Sequence, residues 1–141
     1  EAYLQIFYML MALYGWSQWR AKELPLVVST WQLSSHLKAL GLILFLSLTS
    51  GYILDNHTDA ALPFFDALTT WGAVVATYMV AKKLIENWIY WFAIDFISIF
   101  LFLSRDLFLT ALLFAGYLVI IVFGYRAWKL SMLETKKGIN N

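Results

Sequence analysis

The chain has 141 residues, of which 62% are hydrophobic and 13% charged, with a formal net charge of +1. Soluble domains carry about 25% charged residues, so the composition points away from a water-solvated globule, and the near-neutral balance supplies no field for a nucleic acid. No cysteine is present, which removes disulfides, thiolate nucleophiles and Cys-ligated metals.

Taken in chain order, the charges divide the sequence into five blocks near membrane-spanning length. Residues 2–19 and 107–125 carry no charge, and neither does the shorter block 39–54, bounded by Lys38 and Asp55. Residues 63–81 hold one acid, Asp66, near their start, and 87–104 hold one, Asp95, near their middle. A bilayer core of about 30 Å needs roughly 20 helical residues. The stem of Lys38 snorkels to extend the short block. Blocks apolar on all sides are not surface helices. The expected fold class is therefore an all-α membrane protein with five transmembrane helices. Seven Trp, eight Tyr and eleven Phe suit the aromatic belts at its two interfaces.

Direction follows from the loops. Arg20, Lys22, Lys38, Lys82, Lys83, Arg126, Lys129, Lys136 and Lys137 fall on one side, and Arg105 alone on the other. The basic side is expected to be cytoplasmic. This places the 20–38 loop, the Lys82–Lys83 loop and a 129–141 tail inside, and Glu1 and DNHTDAA outside. The stretch LPLVVSTWQLSS (24–35) alternates loosely and is expected along the cytoplasmic interface.

One pattern is written twice. YGWSQWR (14–20) and FGYRAWK (123–129) align at an offset of 109, pairing Gly15 with Gly124 and Trp19 with Trp128; Tyr8 then pairs with Tyr117. Any inward-running helix ends in an aromatic belt and a basic anchor, but a belt does not require the shared Gly or the matched Tyr. Two similar parallel helices four spans apart are what a parallel structural repeat produces. On that reading 63–128 is a complete three-helix repeat, 39–54 an inverting linker helix, and 1–19 the last helix of a first repeat. The chain opens on Glu1 inside an apolar run, without signal-peptide architecture. It is read as the C-terminal part of a seven-helix 3+1+3 protein whose N-terminal helices are missing.

That architecture is SWEET-like, and four segments carry a closer likeness. LQIFYMLMALYGWSQW (4–19), PFFDALTT (63–70), KKLIENWIYWFAID (82–95) and LTALLFAGYLVIIVFGYRAWK (109–129) resemble the PnuC family of bacterial vitamin transporters. The resemblance implies facilitated diffusion of nicotinamide riboside across the bacterial inner membrane, with trapping by a separate cytosolic kinase. Related branches imply thiamine or riboflavin instead. Expected partners are a small-molecule vitamin substrate, the lipid bilayer, the missing N-terminal helices and further copies in a homo-oligomer.

An aromatic, neutral-to-cationic substrate calls for flat aromatic walls, which attract a cationic ring, and for amides that offer donor and acceptor together. Gln5 and Tyr8 lie three apart on one face; Tyr8 is equally a packing residue, whereas a buried Gln5 amide requires a partner. In ENWIYWFAIDF, Trp88, Trp91 and Asp95 form one stripe, with Asn87 beside Trp91. Asp95, deep in its span, is a candidate substrate-binding acid, either balancing a cation or orienting a Trp or Tyr, or else a structural carboxyl. Trp88 also fits the aromatic belt. Asp66 is explained by the positive end of its helix. Thr69 and Thr70 line a pore or bond back to their helix, and Tyr117 is the symmetric mate of Tyr8.

No enzyme, cofactor or metal is expected. His36 and His57 fall in opposite loops, and no HExxH, GxSxG, P-loop or dinucleotide turn occurs. A channel or scaffold subunit is the rival from another class; it requires no convergence of Gln5, Asn87 and Asp95.

Overall fold

The computed structural model describes residues 2–20, 28–57 and 62–140. They form five α-helices: α1 (Ala2–Arg20), α2 (Leu33–His57), α3 (Pro63–Ala81), α4 (Asn87–Ser104) and α5 (Phe108–Asn140). The protein is an all-α membrane protein, with α2 to α5 each long and apolar enough to cross a bilayer. All five expected helices are present, and four of them meet that length and composition. Two Gln, three Tyr and two Trp in its sequence leave α1 less apolar than the other four.

Helix and uncharged block coincide for α3 and α4. They part at α2, which begins at Leu33 and not at 39, and at α5, which continues through the expected tail. A charge marks where a helix leaves hydrocarbon, whereas Lys and Arg are good helix formers and do not end one. Of the expected loops, residues 21–27 and 58–61 lie outside the described residues.

The helix α3 is the hub, packing against α1, α2 and α4, while α5 packs on α4. Its buried face is mostly small: Ala67, Gly72, Ala73, Ala76 and Ala81. Small residues let backbones approach where lipid removes any hydrophobic drive between helices. At Gly72 an added Cβ would lie 3.2 Å from Ile94 of α4.

Two helix ends share one device. After α3, Lys83 N–H donates to Val80 O and Leu84 N–H to Met79 O; after α4, Asp106 N–H donates to Leu103 O and Leu107 N–H to Phe102 O. Both are Schellman caps, and both place a side-chain-bearing residue, Lys83 or Asp106, at φ 58° where glycine is favoured. The first cap is clamped further by the segment leading into α2. Ser29 N–H donates to Lys83 O, Ile85 N–H to Ser29 O, and Trp31 N–H to Glu86 Oε1. His36 of α2 adds a 2.9 Å hydrogen bond to the Tyr90 hydroxyl and lies 3.5 Å from Glu86. Lys82 lies over the Tyr14 ring, and a hydrogen bond with the Tyr14 hydroxyl holds its pKa above the ordinary lysine value.

At the opposite end, Arg105 after α4 grips Asp66 of the first α3 turn through both carboxylate oxygens, at 2.7 and 2.6 Å. Asp66 is thus tied down structurally, in keeping with its place at the helix start. Since the αL conformation costs a residue bearing a Cβ about 1–2 kcal/mol, and Asp tolerates it better than most, Asp106→Gly is expected to stabilise the protein by about 0.5–1 kcal/mol. The check is a higher midpoint of thermal unfolding in detergent.

Candidate functional site

The twice-written motif brings its two helices to the same end of the bundle. Gly15 lies against Ala81 of α3, and Gly124 against Trp88 of α4. The rings of Trp19 and Trp128, matched in sequence, meet edge-on at 6.4 Å, and Trp88 meets Trp128 at 5.3 Å. Trp19 Nε1–H donates to Ala81 O, and the Lys83 ammonium sits over the Trp19 ring. So α1 and α5 run parallel and touch through a Trp cluster at the clamped end. Elsewhere α3 and α4 separate them, and the space between is a cavity.

That cavity, of about 520 Å³, is lined by Tyr8 of α1, by Thr69, Thr70, Ala73 and Thr77 of α3, by Trp91, Ile94, Asp95 and Ser98 of α4, and by Phe114 and Tyr117 of α5. A second, more apolar hollow shares Tyr8 and Thr77 with it and runs past Gly15 to Trp19. Six of the nine residues expected from sequence therefore converge: Tyr8, Thr69, Thr70, Trp91, Asp95 and Tyr117.

The other three do not. Asn87 is fully buried, and its amide donates to Leu84 O, serving the loop before α4. Trp88 shares the face of Asp95 but lies seven residues, about 10 Å, along the axis, where Gly124 and Trp128 fill the space. Gln5 is exposed and lies one turn beyond Tyr8, on a helix whose backbone comes close to α3 alone among the described helices.

Sequence reasoning missed Thr77, Ser98 and Phe114. Periodicity holds the signal: Thr77 is two turns beyond Thr70, Ser98 one turn beyond Asp95, and Phe114 one turn before Tyr117.

The wall chemistry is one-sided. Thr70 donates its hydroxyl to Asp66 O, Thr77 to Ala73 O and Ser98 to Ile94 O, at 2.9, 2.7 and 2.8 Å. Thr69 does the same toward Phe65 O and Asp66 O. With each O–H committed to its own helix, these groups offer the cavity acceptor lone pairs. Asp95 is 5% exposed, and no described residue hydrogen-bonds or pairs with it. The expected Trp or Tyr partner for its carboxyl is not what the structure places there. Among the described residues, no Lys, Arg or His lines the cavity. The aromatic wall is braced by Phe114, edge-on to Tyr117 at 5.2 Å. Such a chamber suits a flat, cationic, donor-rich ligand and disfavours an anion.

The family model described as nicotinamide mononucleotide transporter matches residues 1–130. The chain belongs to this family. It is 24% identical to the nicotinamide riboside transporter PnuC of Escherichia coli (strain K12) over 89% of its own length. The identity and coverage are the same for the PnuC transporter of Shigella flexneri. The chain spans 64% of the length of these relatives. No solved structure matches it significantly. The likeness read from the four sequence segments is borne out at the level of the family.

The Trp cluster depends on one glycine. A Cβ at Gly124 would come within 2.5 Å of Trp88 Cη2, which Trp128 holds in place. Overpacking costs about 1–3 kcal/mol, against a helix-propensity gain of about 0.5–1 kcal/mol from losing glycine. We expect Gly124→Ala to lower the unfolding midpoint and shift the Trp fluorescence maximum. Gly116→Ala, in the same helix with nothing within 4 Å, is expected to do neither.

Proposed function

We propose that the chain forms the larger part of a facilitated-diffusion transporter for nicotinamide riboside. The observation that carries this reading is the pairing of an Asp95 carboxyl unpartnered among the described residues with aromatic walls, in a cavity that no described basic side chain lines. The nicotinamide ring of the riboside is a flat cation, suited to Trp91, Tyr117 and Tyr8. Its ribose hydroxyls and carboxamide N–H groups are donors, suited to the acceptors of Thr70, Thr77 and Ser98. A volume of about 520 Å³ lies within the range for small-molecule sites.

Charge also favours the riboside over its phosphorylated form. A phosphate would enter beside Asp95 with no Lys or Arg among the described residues to receive it. The same repulsion explains trapping: once a cytosolic kinase adds phosphate, the product no longer fits the path back. On the positive-inside pattern, the Trp cluster, the Lys82–Lys83 turn and the C-terminal end of α5 face the cytoplasm, and the Asp66–Arg105 pair faces outward. The protein sits in the bacterial inner membrane, and α1 crosses it as the last helix of a first repeat. The N-terminal helices of the 3+1+3 parent cover its exposed face and that of Gln5, and the parent assembles as a homo-oligomer.

The test is titration of the detergent-purified chain and its full-length parent, followed by Trp fluorescence. The ligands are nicotinamide riboside, nicotinamide mononucleotide, thiamine and riboflavin, with calorimetry for riboflavin because it absorbs in the same region. The riboside is expected to saturate and the mononucleotide to bind at least about tenfold more weakly. A charge-assisted contact is worth about 1.5–3 kcal/mol, so Asp95→Asn should weaken riboside binding about 10- to 100-fold. Trp91→Ala removes a cation–π wall worth about 0.5–2 kcal/mol, or about 2- to 30-fold. Mononucleotide binding as tight as riboside binding would overturn the assignment. Saturation by thiamine or riboflavin alone would move the substrate, and silence toward all four would leave the channel or scaffold.

A further inference from the structure

A third concavity lies between α4 and α5 and shares no residue with the cavity or the hollow beside it. Its apolar part is formed by Ile89 and Phe92 of α4 and by Ile121 and Val122 of α5, and its head by Arg126 and Lys129, with a volume of about 410 Å³. We propose that this groove is a binding site for a phospholipid with an anionic headgroup. Its phosphate is held by Arg126 and Lys129, and one acyl chain lies along Ile89, Phe92 and Val122.

Position is the first argument. Val122, Arg126 and Lys129 stand at i, i+4 and i+7 on α5, so both cations cap the same stripe that forms the apolar wall. Ile89, Phe92 and Val122 are 58%, 43% and 43% exposed, and in a membrane protein that exposure is to lipid. Arg126 follows Phe108, the first residue of α5, by eighteen positions, about 27 Å at 1.5 Å per residue. The hydrocarbon core is about 30 Å thick, so the guanidinium reaches phosphate depth when the start of α5 lies at the far surface.

Charge is the second argument. Among the described residues, no acidic side chain lines the groove, and neither Arg126 nor Lys129 makes a hydrogen bond or ion pair. Three other basic groups of the bundle are engaged: Arg105 with Asp66, Lys82 with the rings of Tyr14 and Tyr78, and Lys83 with Trp19. Two unneutralised cations one turn apart, one of them a planar fork, match a phosphodiester. The wall is also preformed, because Trp88 is held between Gly124 and Trp128.

The experiment is native mass spectrometry of the full chain released from mixed micelles. The probes are phosphatidylglycerol and phosphatidylcholine of identical acyl chains, and free glycerol 3-phosphate as competitor. Phosphatidylglycerol is expected to be retained about 25-fold over phosphatidylcholine and to resist the competitor. Each basic residue near a headgroup contributes about fivefold, so Arg126→Gln with Lys129→Gln should abolish the preference. Lys136→Gln with Lys137→Gln removes the same charge about 15 Å further along the helix and should keep it. Val122→Trp, which fills the groove, should lower retention of both lipids.

Equal retention of the two lipids by the unmodified chain overturns the proposal without any variant. So does loss of the preference in the Lys136 and Lys137 variant, which would mean diffuse attraction, and so does displacement by glycerol 3-phosphate, which would mean a site for free phosphate.

Discussion

Hydrocarbon gives two helices no reason to separate from lipid, so this bundle depends on how closely backbones can approach α3. That helix spends its buried face on Ala67, Gly72, Ala73, Ala76 and Ala81, and three helices settle on it. Close approach multiplies weak dispersion contacts, which are the main attraction left in lipid. It also decides where the helices cannot meet. With α1 on one flank of α3 and α5 carried on α4, the outer two are held apart by the width of the inner pair. Only side chains as long as Trp19 and Trp128 bridge the gap, and they do so at one end. The cavity is the remainder of that gap.

The two ends of the cavity are closed by different forces. At the Lys-rich end the closure is apolar and hydrogen-bonded: three indoles packed edge-on, one of them anchored to Ala81 O. The turn beneath them is stitched to Ser29 by two backbone hydrogen bonds, and Trp31 N–H donates to Glu86 Oε1. This β-type bridge ties the turn to the segment before α2. At the other end the closure is a bidentate ion pair between Asp66 and Arg105, each about one third exposed. Water and salt screen such a pair to about 1 kcal/mol or less. The bundle is accordingly firmer at its Trp end than at its ion-pair end.

Between these ends the wall solves a problem general to polar groups in membranes. A hydroxyl in a span must be satisfied, and Thr69, Thr70, Thr77 and Ser98 satisfy theirs within their own helices. The donors are consumed and the lone pairs remain, so the cavity acquires polarity of one sense without importing any cation. Asp95 adds a carboxyl of the same sense. A group that costs free energy to bury alone becomes favourable when the arriving ligand carries the complementary charge and donors.

Much of this was legible in the sequence, because helix periodicity assigns a residue to a face. The block 63–81 offered Thr69 and Thr70 as pore-lining hydroxyls, and the block 87–104 placed Trp91 and Asp95 together. The offset of 109 foretold that Trp19 and Trp128 end together. What periodicity does not carry is depth. Trp88 lies on the same face as Asp95, yet two turns along that face the cavity has given way to Gly124 and Trp128. Asn87 illustrates the related limit that a buried amide is chemically identical whether it serves a ligand or, as here, the carbonyl of Leu84. The helix ends at Leu33 and Asn140 escaped for a third reason. Charge reports the boundary between hydrocarbon and water, and a helix built of Lys, Leu, Met and Glu crosses that boundary without breaking. Sequence therefore read the bilayer correctly where the lipid chooses the residues, and fell short where another helix does.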